Sequence, residues 1–375
     1  MRIAFTAPMK PLDHPVPSGD RTMGRLIVKA LKSAGHEVEV ASTFRSWRKD
    51  GSDELQSKVK AEALKEVSRI ANDWKRDRNK PDLFLTYHLY HKAPDWIGPA
   101  LADRFDLPYA IIEASRAPKR KTGNWAFGFA AADLALQRAD AVAAIHNADA
   151  ECLHEVVPPD RLDVLLPFLD EAPYRQAVTG SKPPASAPLK LLAVGMMREG
   201  DKFRSYEVLA AALDRLMNLS WHLTLIGDGP VRSKVVDLFP ADRITVLGAL
   251  GAEDLPAQYA QHDLVVWPAI REAFGLVLME AQAAGTGVVA GNTFGVPDIV
   301  RQGETGLLSQ EGDVEAFAAN LENVIRNPGI ADRLGIAASA YISANHSLEA
   351  GAARLDLFAR KAVDNHRRPQ KDQGK

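Results

Sequence analysis

The sequence contains a single cysteine in its 375 residues, Cys152. One thiol excludes an intrachain disulfide and any metal site built from several cysteines, and it favours a reducing compartment. No uninterrupted apolar segment is long enough to span a membrane, and the apolar run in residues 1–8 is too short for a secretory signal. The formal net charge of -2 gives no general attraction to nucleic acid or anionic membranes. We therefore expect a cytoplasmic protein without a nucleic-acid partner.

Short apolar runs alternate with helical patterns along most of the chain, which is long enough for two domains. Residues 2–7 and 37–41 are typical of buried strands, and the helix predicted between them ends at Gly35. Strand, helix and strand in this order predict a parallel βαβ unit. The predicted fold class is therefore α/β with parallel sheets.

Composition divides the chain into segments. We assign residues 1–175 to a first domain, 176–188 to a linker with proline, glycine and serine, and 189–346 to a second domain. A helix at about 347–363 could pack back on the first domain. Residues 364–375 are polar and basic without an apolar pattern, and we predict them to be disordered.

A charged segment of the first domain, residues 53–78, has apolar residues at intervals of three and four, which predicts an amphipathic helix with Asp53 and Gln56 as its capping box. Its basic end, residues 75–80, fits a helix C-terminus on the protein surface. A less favoured alternative is attraction to an anionic acceptor or to lipid head groups, which would give weak peripheral membrane contact.

Two places in the first domain are candidate binding positions. His88 and His91 follow a predicted strand at residues 82–87, and the carboxyl ends of strands are where open α/β sheets bind ligands. Because no third ligand is near in sequence, a hydrogen-bonding His88 is favoured over a metal site. The loop at residues 18–21, which includes Gly19, could bind an anion or a sugar, or it could be a simple turn.

The most informative stretch of the second domain is residues 271–281. A short apolar strand precedes it, and a helix is predicted from about residue 275 to 284, so backbone N–H groups near Gly275 would be free to bind an anion such as a phosphate. Glu272 and Glu280 would repel that anion, and we interpret them as acceptors for hydroxyl groups beside it. Both could equally be ordinary acids at a helix N-terminus.

Other loops of this domain add charge and tight turns. Arg198 and Lys202 lie in the loop at residues 196–202, before a helix predicted to start near Ser205. Gly227 and Gly229 form a turn after a strand, but Arg232 stands where a dinucleotide fingerprint needs a small residue. This departure argues against a dehydrogenase.

The order of these motifs resembles that of retaining glycosyltransferases of the GT-B fold, family 4. The resemblance covers about residues 189–340. Its motifs are Leu192–Gly195 with basic residues after it, Ile226–Pro230, the Glu272 and Glu280 pair with seven residues between them, and Gly295–Val300 followed by Gly303–Leu308.

This resemblance implies two facing Rossmann-like domains with a cleft between them. A nucleotide diphosphate sugar would bind mainly to the second domain, and a saccharide or lipid-linked acceptor to the first, with no metal or other cofactor required. The implied residues are Arg198, Lys202 and the amides of Phe274, Gly275 and Leu276 for the diphosphate, Glu280 for the ribose, Glu272 for the transferred hexose, and Gly227 and Gly19 for the rest of the donor.

Two positions depart from the family pattern. Met196 replaces the basic residue that usually follows the strand glycine, so the arginine role falls to Arg198. Residues 113–115, Glu-Ala-Ser, stand where a histidine is expected, and His88 could substitute for it. Two alternative functions remain open from the sequence, a nucleotide-sugar epimerase of the same fold and a catalytically silent nucleotide-sugar-binding partner.

Overall fold

A computed structural model describes residues 1–16, 18–178, 184–273 and 275–368. The chain forms two compact units: Met1–Leu166 together with the segment from Glu349 onward is unit 1, and Pro167–Leu348 is unit 2. Residues 179–183, inside the predicted linker, lie outside the described residues. Among the residues described, no helix combines the length and apolar character needed to cross a bilayer.

Each unit contains a six-stranded sheet in which every neighbouring pair is parallel. The strands of unit 1 are β1 Arg2–Thr6, β2 Glu37–Ser42, β3 Leu83–Leu89, β4 Tyr109–Ala114, β5 Ala141–Ala144 and β6 Leu162–Val164. Those of unit 2 are β7 Leu189–Val194, β8 Trp221–Ile226, β9 Ile244–Gly248, β10 Leu264–Trp267, β11 Gly287–Asn292 and β12 Gly306–Gln310.

Helices connect successive strands in both units. They are α1 Gly19–Ser33, α2 Asp53–Arg76, α3 Gly98–Phe105, α4 Ala126–Arg138, α5 Asn147–Leu153, α6 Ala172–Ala177, α7 Asp201–Asp214, α8 Arg232–Val236, α9 Leu255–Gln261, α10 Leu276–Ala283, α11 Val296–Ile299, α12 Val314–Arg326, α13 Gly329–Asn345 and α14 Leu348–Arg367. Parallel strands covered by helices are buried on both faces, which explains their continuous apolar sequences. All four residues of β10, for example, are buried.

The strand orders are β2-β1-β3-β4-β5-β6 in unit 1 and β12-β11-β10-β7-β8-β9 in unit 2. In each unit the strands that follow the first strand are added on one side of it, and the later strands are then added on its other side. The reversal lies between β1 and β3 in unit 1 and between β7 and β10 in unit 2. Loops diverge at such reversals, so ligands of open α/β sheets bind there, at the carboxyl ends of the strands.

The structure confirms the α/β class with parallel sheets, and it corrects several boundaries. Strand β12 was not predicted, because the apolar run at residues 306–308 is very short. The apolar run at residues 107–112 predicts a strand that ends at 112, but β4 continues to Ala114, and α7 starts at Asp201 rather than near Ser205. Lys202 is therefore in the first turn of a helix and not in a loop.

Two predicted helix ends also differ. Helix α2 has Ser52 at its N-cap without a side-chain hydrogen bond, so Asp53 and Gln56 do not form a capping box. Helix α14 continues to Arg367 because its apolar face is buried in unit 1, so the prediction of disorder from residue 364 was wrong for residues 364–367. The remaining tail, residues 369–375, lies outside the described part of the chain.

Candidate active site

In unit 2, two loops leave the carboxyl ends of β7 and β10, the strands on either side of the chain reversal. The first loop leads into α7 and the second into α10. Because β7 and β10 are paired in parallel, their following loops emerge at the same edge of the sheet. The residues predicted for the diphosphate and the transferred sugar lie on these two loops and the helix starts after them.

Lys202 and Glu272 form a direct ion pair, although they are 70 residues apart in sequence. Their side chains are 20% and 16% exposed, so the pair is shielded but open to solvent on one side. Trp267, the last residue of β10, donates its indole N–H to Glu272 Oε2 at 3.3 Å, and Lys202 Nζ lies 5.4 Å from the centre of its ring. The tryptophan therefore contacts both members of the ion pair, Glu272 through a hydrogen bond and Lys202 through its ring.

The loop that carries Glu272 is fixed by neighbouring elements. The amide of Ile270 donates to Ser205 Oγ of α7 at 3.0 Å, and the amide of Arg271 donates to Glu311 Oε1 at 3.2 Å. Ala269 and Arg271 have left-handed backbones with φ of 57° and 49°, an arrangement that costs free energy and persists only where surroundings enforce it. Ser205 and Glu311 supply that enforcement, and sequence analysis missed both.

Helix α10 begins beside this loop. Gly275 is its N-cap residue, with a left-handed φ of 62°, and a Cβ there would lie 2.8 Å from Ile299 Cδ1. The glycine is therefore required by backbone and packing as well as by any ligand. The amides of Leu278 and Met279 donate to the Gly275 carbonyl at 2.9 and 3.2 Å, whereas helical geometry leaves the Leu276 N–H without an acceptor inside the helix. Phe274 lies outside the described residues, and its predicted role stays a prediction.

Glu280 lies on α10 and is only partly exposed. Its Oε2 accepts a hydrogen bond of 2.7 Å from the hydroxyl of Tyr259, and Tyr174 also donates to this carboxyl. Burial raises the pKa of Glu280, and the two tyrosine hydrogen bonds offset only part of that rise. The two tyrosines orient the carboxylate. Sequence analysis did not identify either of them.

Arg198 and Gly227 lie on neighbouring loops, Arg198 on the loop after β7 and Gly227 on the loop after β8. Arg198 is exposed, and among the described residues its side chain has no ion-pair partner. Gly227 follows β8 with φ of 142°, and a Cβ there would lie 1.9 Å from the carbonyl oxygen of Gly195. Gly227 thus brings the loop after β8 into direct contact with the loop after β7. The ligand roles assigned to both residues remain predictions.

Unit 1 has its own polar cluster at the carboxyl ends of its central strands. His88 of β3 lies with its Nδ1 3.1 Å from Glu113 Oε1 of β4 and 3.2 Å from Asp20 Oδ1 of α1. Glu113 is only 6% exposed at its side chain, while Asp20 is 24% exposed. Glu113 is the residue that stands in place of the histidine expected at this position. The structure brings His88 and this position together.

Burial and mutual charge shift the titration of this cluster. Burial raises the pKa of Glu113 to about 7, although the neighbouring His88 opposes the rise. Burial lowers the pKa of His88, but the charges of Glu113 and Asp20 outweigh it and the net shift is upward. Asp20 and Glu113 were not predicted as site residues. An Asp after a strand and a Glu at a strand end are too common in sequence to signal a site.

The remaining first-domain candidates are less connected. Gly19 is the first residue of α1, and the preceding Ser18 accepts a hydrogen bond of 3.3 Å from the Arg21 amide, so this segment caps the helix. His91 differs from His88 in its titration, because burial lowers the pKa of His91 to about 4 whereas the pKa of His88 is raised. The donor role assigned to Gly19 remains a prediction.

Comparisons with known proteins agree with this architecture. Residues 188–327 match the family model described as glycosyl transferases group 1. The sulfoquinovosyl transferase SQD2 of Arabidopsis thaliana is 33% identical over 154 residues, 40% of this chain and 30% of that protein. A D-inositol 3-phosphate glycosyltransferase of Rhodococcus erythropolis is 28% identical over 315 residues, 77% of this chain and 70% of the relative. The chain spans less than half the length of SQD2 and of another curated relative, also a D-inositol 3-phosphate glycosyltransferase.

Solved structures resemble the whole chain at low sequence identity. Sucrose-phosphate synthase of Thermosynechococcus elongatus has a TM-score of 0.72 at 20% identity and covers 97% of this chain and 99% of its own. Anabaena HepE in complex with UDP has a TM-score of 0.69 at 15% identity and covers 95% and 99%. These likenesses establish the GT-B fold. Residues 188–327, which lie within unit 2, are similar to the glycosyl transferases group 1 family, in agreement with the resemblance that the sequence motifs predict.

Proposed function

We propose that this protein transfers a hexose from a nucleotide diphosphate sugar to a hydroxyl group of a saccharide or lipid-linked acceptor, with retention of anomeric configuration. The observation that carries the proposal is the Lys202–Glu272 pair at the chain reversal of unit 2, next to the N-terminus of α10. The cation is in the first turn of α7, the proposed hydroxyl acceptor is in the loop after β10, and the backbone donor is at the start of α10.

The chemistry requires stabilisation of a departing phosphate. Breaking a glycosyl-phosphate bond develops positive charge on the anomeric carbon and negative charge on the leaving diphosphate. Lys202, Arg198 and the first-turn amides of α10 would stabilise that negative charge, which is a large term in such reactions. Lys202 has three N–H donors, so it can bind a phosphate oxygen without leaving Glu272. The diphosphate then needs no metal ion at this position.

The two glutamates would bind opposite ends of the donor. Glu280 is oriented by Tyr259 and Tyr174, and a carboxylate has more lone pairs than two hydroxyl donors use, so it would also accept from the ribose hydroxyls. Glu272, fixed by Lys202 and Trp267, would accept from hydroxyls of the transferred hexose. The leaving phosphate itself would take the proton of the acceptor hydroxyl on the same face of the sugar, which gives retention. His88 of unit 1 is the proposed contact for the acceptor or the transferred sugar.

The relatives support a sugar-transfer reaction through their names, and the HepE complex supports a uridine diphosphate as one candidate ligand. Weak peripheral membrane contact through the basic surface of unit 1 would suit a lipid-linked acceptor. The first experiment is incubation of the purified chain with UDP-, GDP- and ADP-sugars, with release of the nucleotide diphosphate as the readout. No hydrolysis, no transfer and no nucleotide binding with any donor would refute the proposal.

Variants then test the residues. We expect Glu272→Gln to lower kcat by about 10²- to 10³-fold, in the range seen when one transition-state contact is removed. Lys202→Met should raise the Kd for the nucleotide diphosphate as well. Lys234→Met is the matched control, because Lys234 forms an exposed ion pair with Glu199 in the same unit, and it should leave turnover unchanged.

Two outcomes would favour the alternatives. Conversion of the donor to its epimer without an acceptor would identify an epimerase. Tight binding of a nucleotide sugar without turnover would point to a silent binding partner. In that case Glu272→Gln would leave the cellular function of the protein unchanged.

A further inference from the structure

The cluster of Asp20, His88 and Glu113 is assembled from three elements of unit 1. Asp20 is in the first turn of α1, and His88 and Glu113 are near the ends of the paired strands β3 and β4. One potential ligand atom from each side chain, Oδ1, Nδ1 and Oε1, lies within 4.8 Å of the other two. Sequence analysis found no third ligand near His88 and His91, because the two carboxylates join His88 only in the folded unit.

The contacts within the cluster are close but are not aligned as hydrogen bonds. His88 Nδ1 lies 3.1 Å from Glu113 Oε1 and 3.2 Å from Asp20 Oδ1, yet it is buried without an aligned hydrogen-bond partner. A hydrogen bond needs the acceptor near the N–H direction. When a metal ion lies along the nitrogen lone pair, its other ligand atoms lie off the nitrogen–metal axis. The orientation of His88 therefore matches metal coordination better than a hydrogen-bonded pair.

The separations have the size that coordination requires. With metal–nitrogen and metal–oxygen bonds of about 2.1 Å and angles between roughly 90° and 110°, adjacent ligand atoms lie about 3.0–3.4 Å apart. Both distances from Nδ1 fall in this range. One carboxylate oxygen of Asp20 and one of Glu113 lie no more than 4.8 Å apart, so a side-chain rotation can bring this third pair into the range.

A second observation comes from Glu113. Its side chain is only 6% exposed, and its Oε2 has no hydrogen-bond partner of normal geometry, although the Tyr87 hydroxyl lies near enough to lower the pKa of this carboxyl. When both carboxylates are ionised, a protonated His88 compensates only one of the two negative charges, and a buried charge is costly unless it is paired or binds a metal. The more exposed Asp20 leaves an open side for water or another ligand. A bound cation would satisfy Glu113 and compensate both charges.

From this arrangement we infer that Asp20, His88 and Glu113 form a binding site for a divalent first-row metal ion, of which Mn²⁺ and Zn²⁺ are the best fits. One imidazole nitrogen with two carboxylate oxygens suits both ions, because imidazole favours Zn²⁺ and carboxylates favour Mn²⁺. Three protein ligands leave at least one coordination position free. The site belongs to unit 1 and does not depend on the proposed diphosphate contacts of unit 2.

The experiment is metal binding to the full chain after treatment with a chelator and its removal. We expect titration calorimetry to show one equivalent of Mn²⁺ or Zn²⁺ bound, with Mn²⁺ also detected by electron paramagnetic resonance. Glu113→Gln, His88→Gln and Asp20→Asn should each weaken binding at least tenfold, because each removes one ligand. Circular dichroism and thermal unfolding of the metal-free variants show whether each is folded. Asp20→Asn, at the more exposed position, keeps the test decisive if a buried variant fails to fold.

Asp356→Asn is the matched control. Asp356 also lies against a buried histidine of unit 1, with Oδ1 3.0 Å from His36 Nε2, but no third ligand accompanies this pair among the described clusters. The Asp356→Asn variant should bind the metal with the affinity of the wild type. Absence of one-equivalent binding to the wild type, or equal affinity in wild type and Asp20→Asn, would overturn the site. Neither result would refute nucleotide-sugar transfer, which is tested separately through donor turnover and through Lys202 and Glu272 of unit 2.

Discussion

Glu280 combines a burial effect on stability with a proposed role in donor binding. Its carboxyl is placed on α10 with two tyrosine donors, in a setting that favours the protonated form. The proposed binding of ribose hydroxyls would need an acceptor, which the ionised form provides better. Under that proposal, donor binding and folding would depend on pH in opposite directions.

The first prediction concerns stability. Burial raises the pKa of Glu280 above its ordinary value of 4.5, so the folded protein holds this proton more tightly than the unfolded chain. Its contribution to the free energy of unfolding is full below the unfolded pKa and is lost as the pH rises through the folded pKa. Relative to Glu280→Gln, the wild type should lose stability as the pH increases above 4.5. Urea unfolding at a series of pH values measures the difference.

The control for this experiment is Glu315→Gln, since Glu315 is 80% exposed on α12. It should track the wild type at every pH. A parallel pH dependence in wild type and Glu280→Gln would show that burial of this carboxyl does not affect stability.

The tyrosine partner gives a second prediction. The hydrogen bond from Tyr259 lowers the pKa of Glu280, so Tyr259→Phe should move the pH range of the stability loss upward. Removing the hydroxyl leaves a buried acceptor without one of its donors, at a cost of about 1–3 kcal/mol. The same urea series measures both effects, and a lower midpoint in Tyr259→Phe would contradict the assignment.

At the scale of elements, the site depends on tight contacts between strand-to-helix loops. The loops after β7 and β8 approach until the Gly227 position touches the Gly195 carbonyl. The loop after β10 is held by Ser205 of α7 and by Glu311. Parallel strands deliver these loops to one edge, and close packing fixes the distances within it.

Gly227→Ala tests this packing. The new Cβ would lie 1.9 Å from the Gly195 carbonyl oxygen, so the loops must separate, and we expect destabilisation of about 3 kcal/mol or more. Gly312→Ala is the control, because Gly312 has a comparable need for positive φ, at 78°, but open space around it. The control should lose only about 1–2 kcal/mol. Equal losses in thermal or urea unfolding would show that the contact is relaxed at little cost.

At the scale of the whole molecule, the end of the chain completes unit 1. Helix α14 buries Leu355 and Phe358 there, and Lys361 Nζ binds Asp163 Oδ1 at 2.8 Å. The Asn365 side chain donates to the Asp140 carbonyl at 2.9 Å. Unit 1 is thus made of two segments that are distant in sequence.

Phe358→Ala should therefore weaken unit 1 selectively. Truncation of a buried phenylalanine costs about 3–5 kcal/mol. Hydrogen exchange should rise in the strands of unit 1 and stay unchanged in those of unit 2, where Phe358 makes no contribution to the core. Leu357→Ala, at a position 68% exposed, is the matched control and should change neither unit. Faster exchange in β7 to β12 would refute this selectivity.

The sequence by itself determined the fold class and most strand positions, and its motifs predicted the family resemblance of the second unit. Apolar runs of four to six residues mark strands buried on both faces, and the order of glycine and acidic motifs in residues 189–340 is specific. Local patterns also identified Glu272, Glu280, Lys202 and His88 as candidates. These signals are readable because each depends on residues that are neighbours in the chain.

Tertiary structure decided which of these residues meet. The Lys202–Glu272 pair, the tyrosines on Glu280 and the carboxylates around His88 join residues that are between 21 and 106 positions apart or on different strands. Boundaries such as the end of β4 and the extent of α14 were decided by burial against distant segments. Contacts of this kind depend on strand order and packing, which local sequence does not encode, so the cluster of Asp20, His88 and Glu113 is visible only in the folded unit.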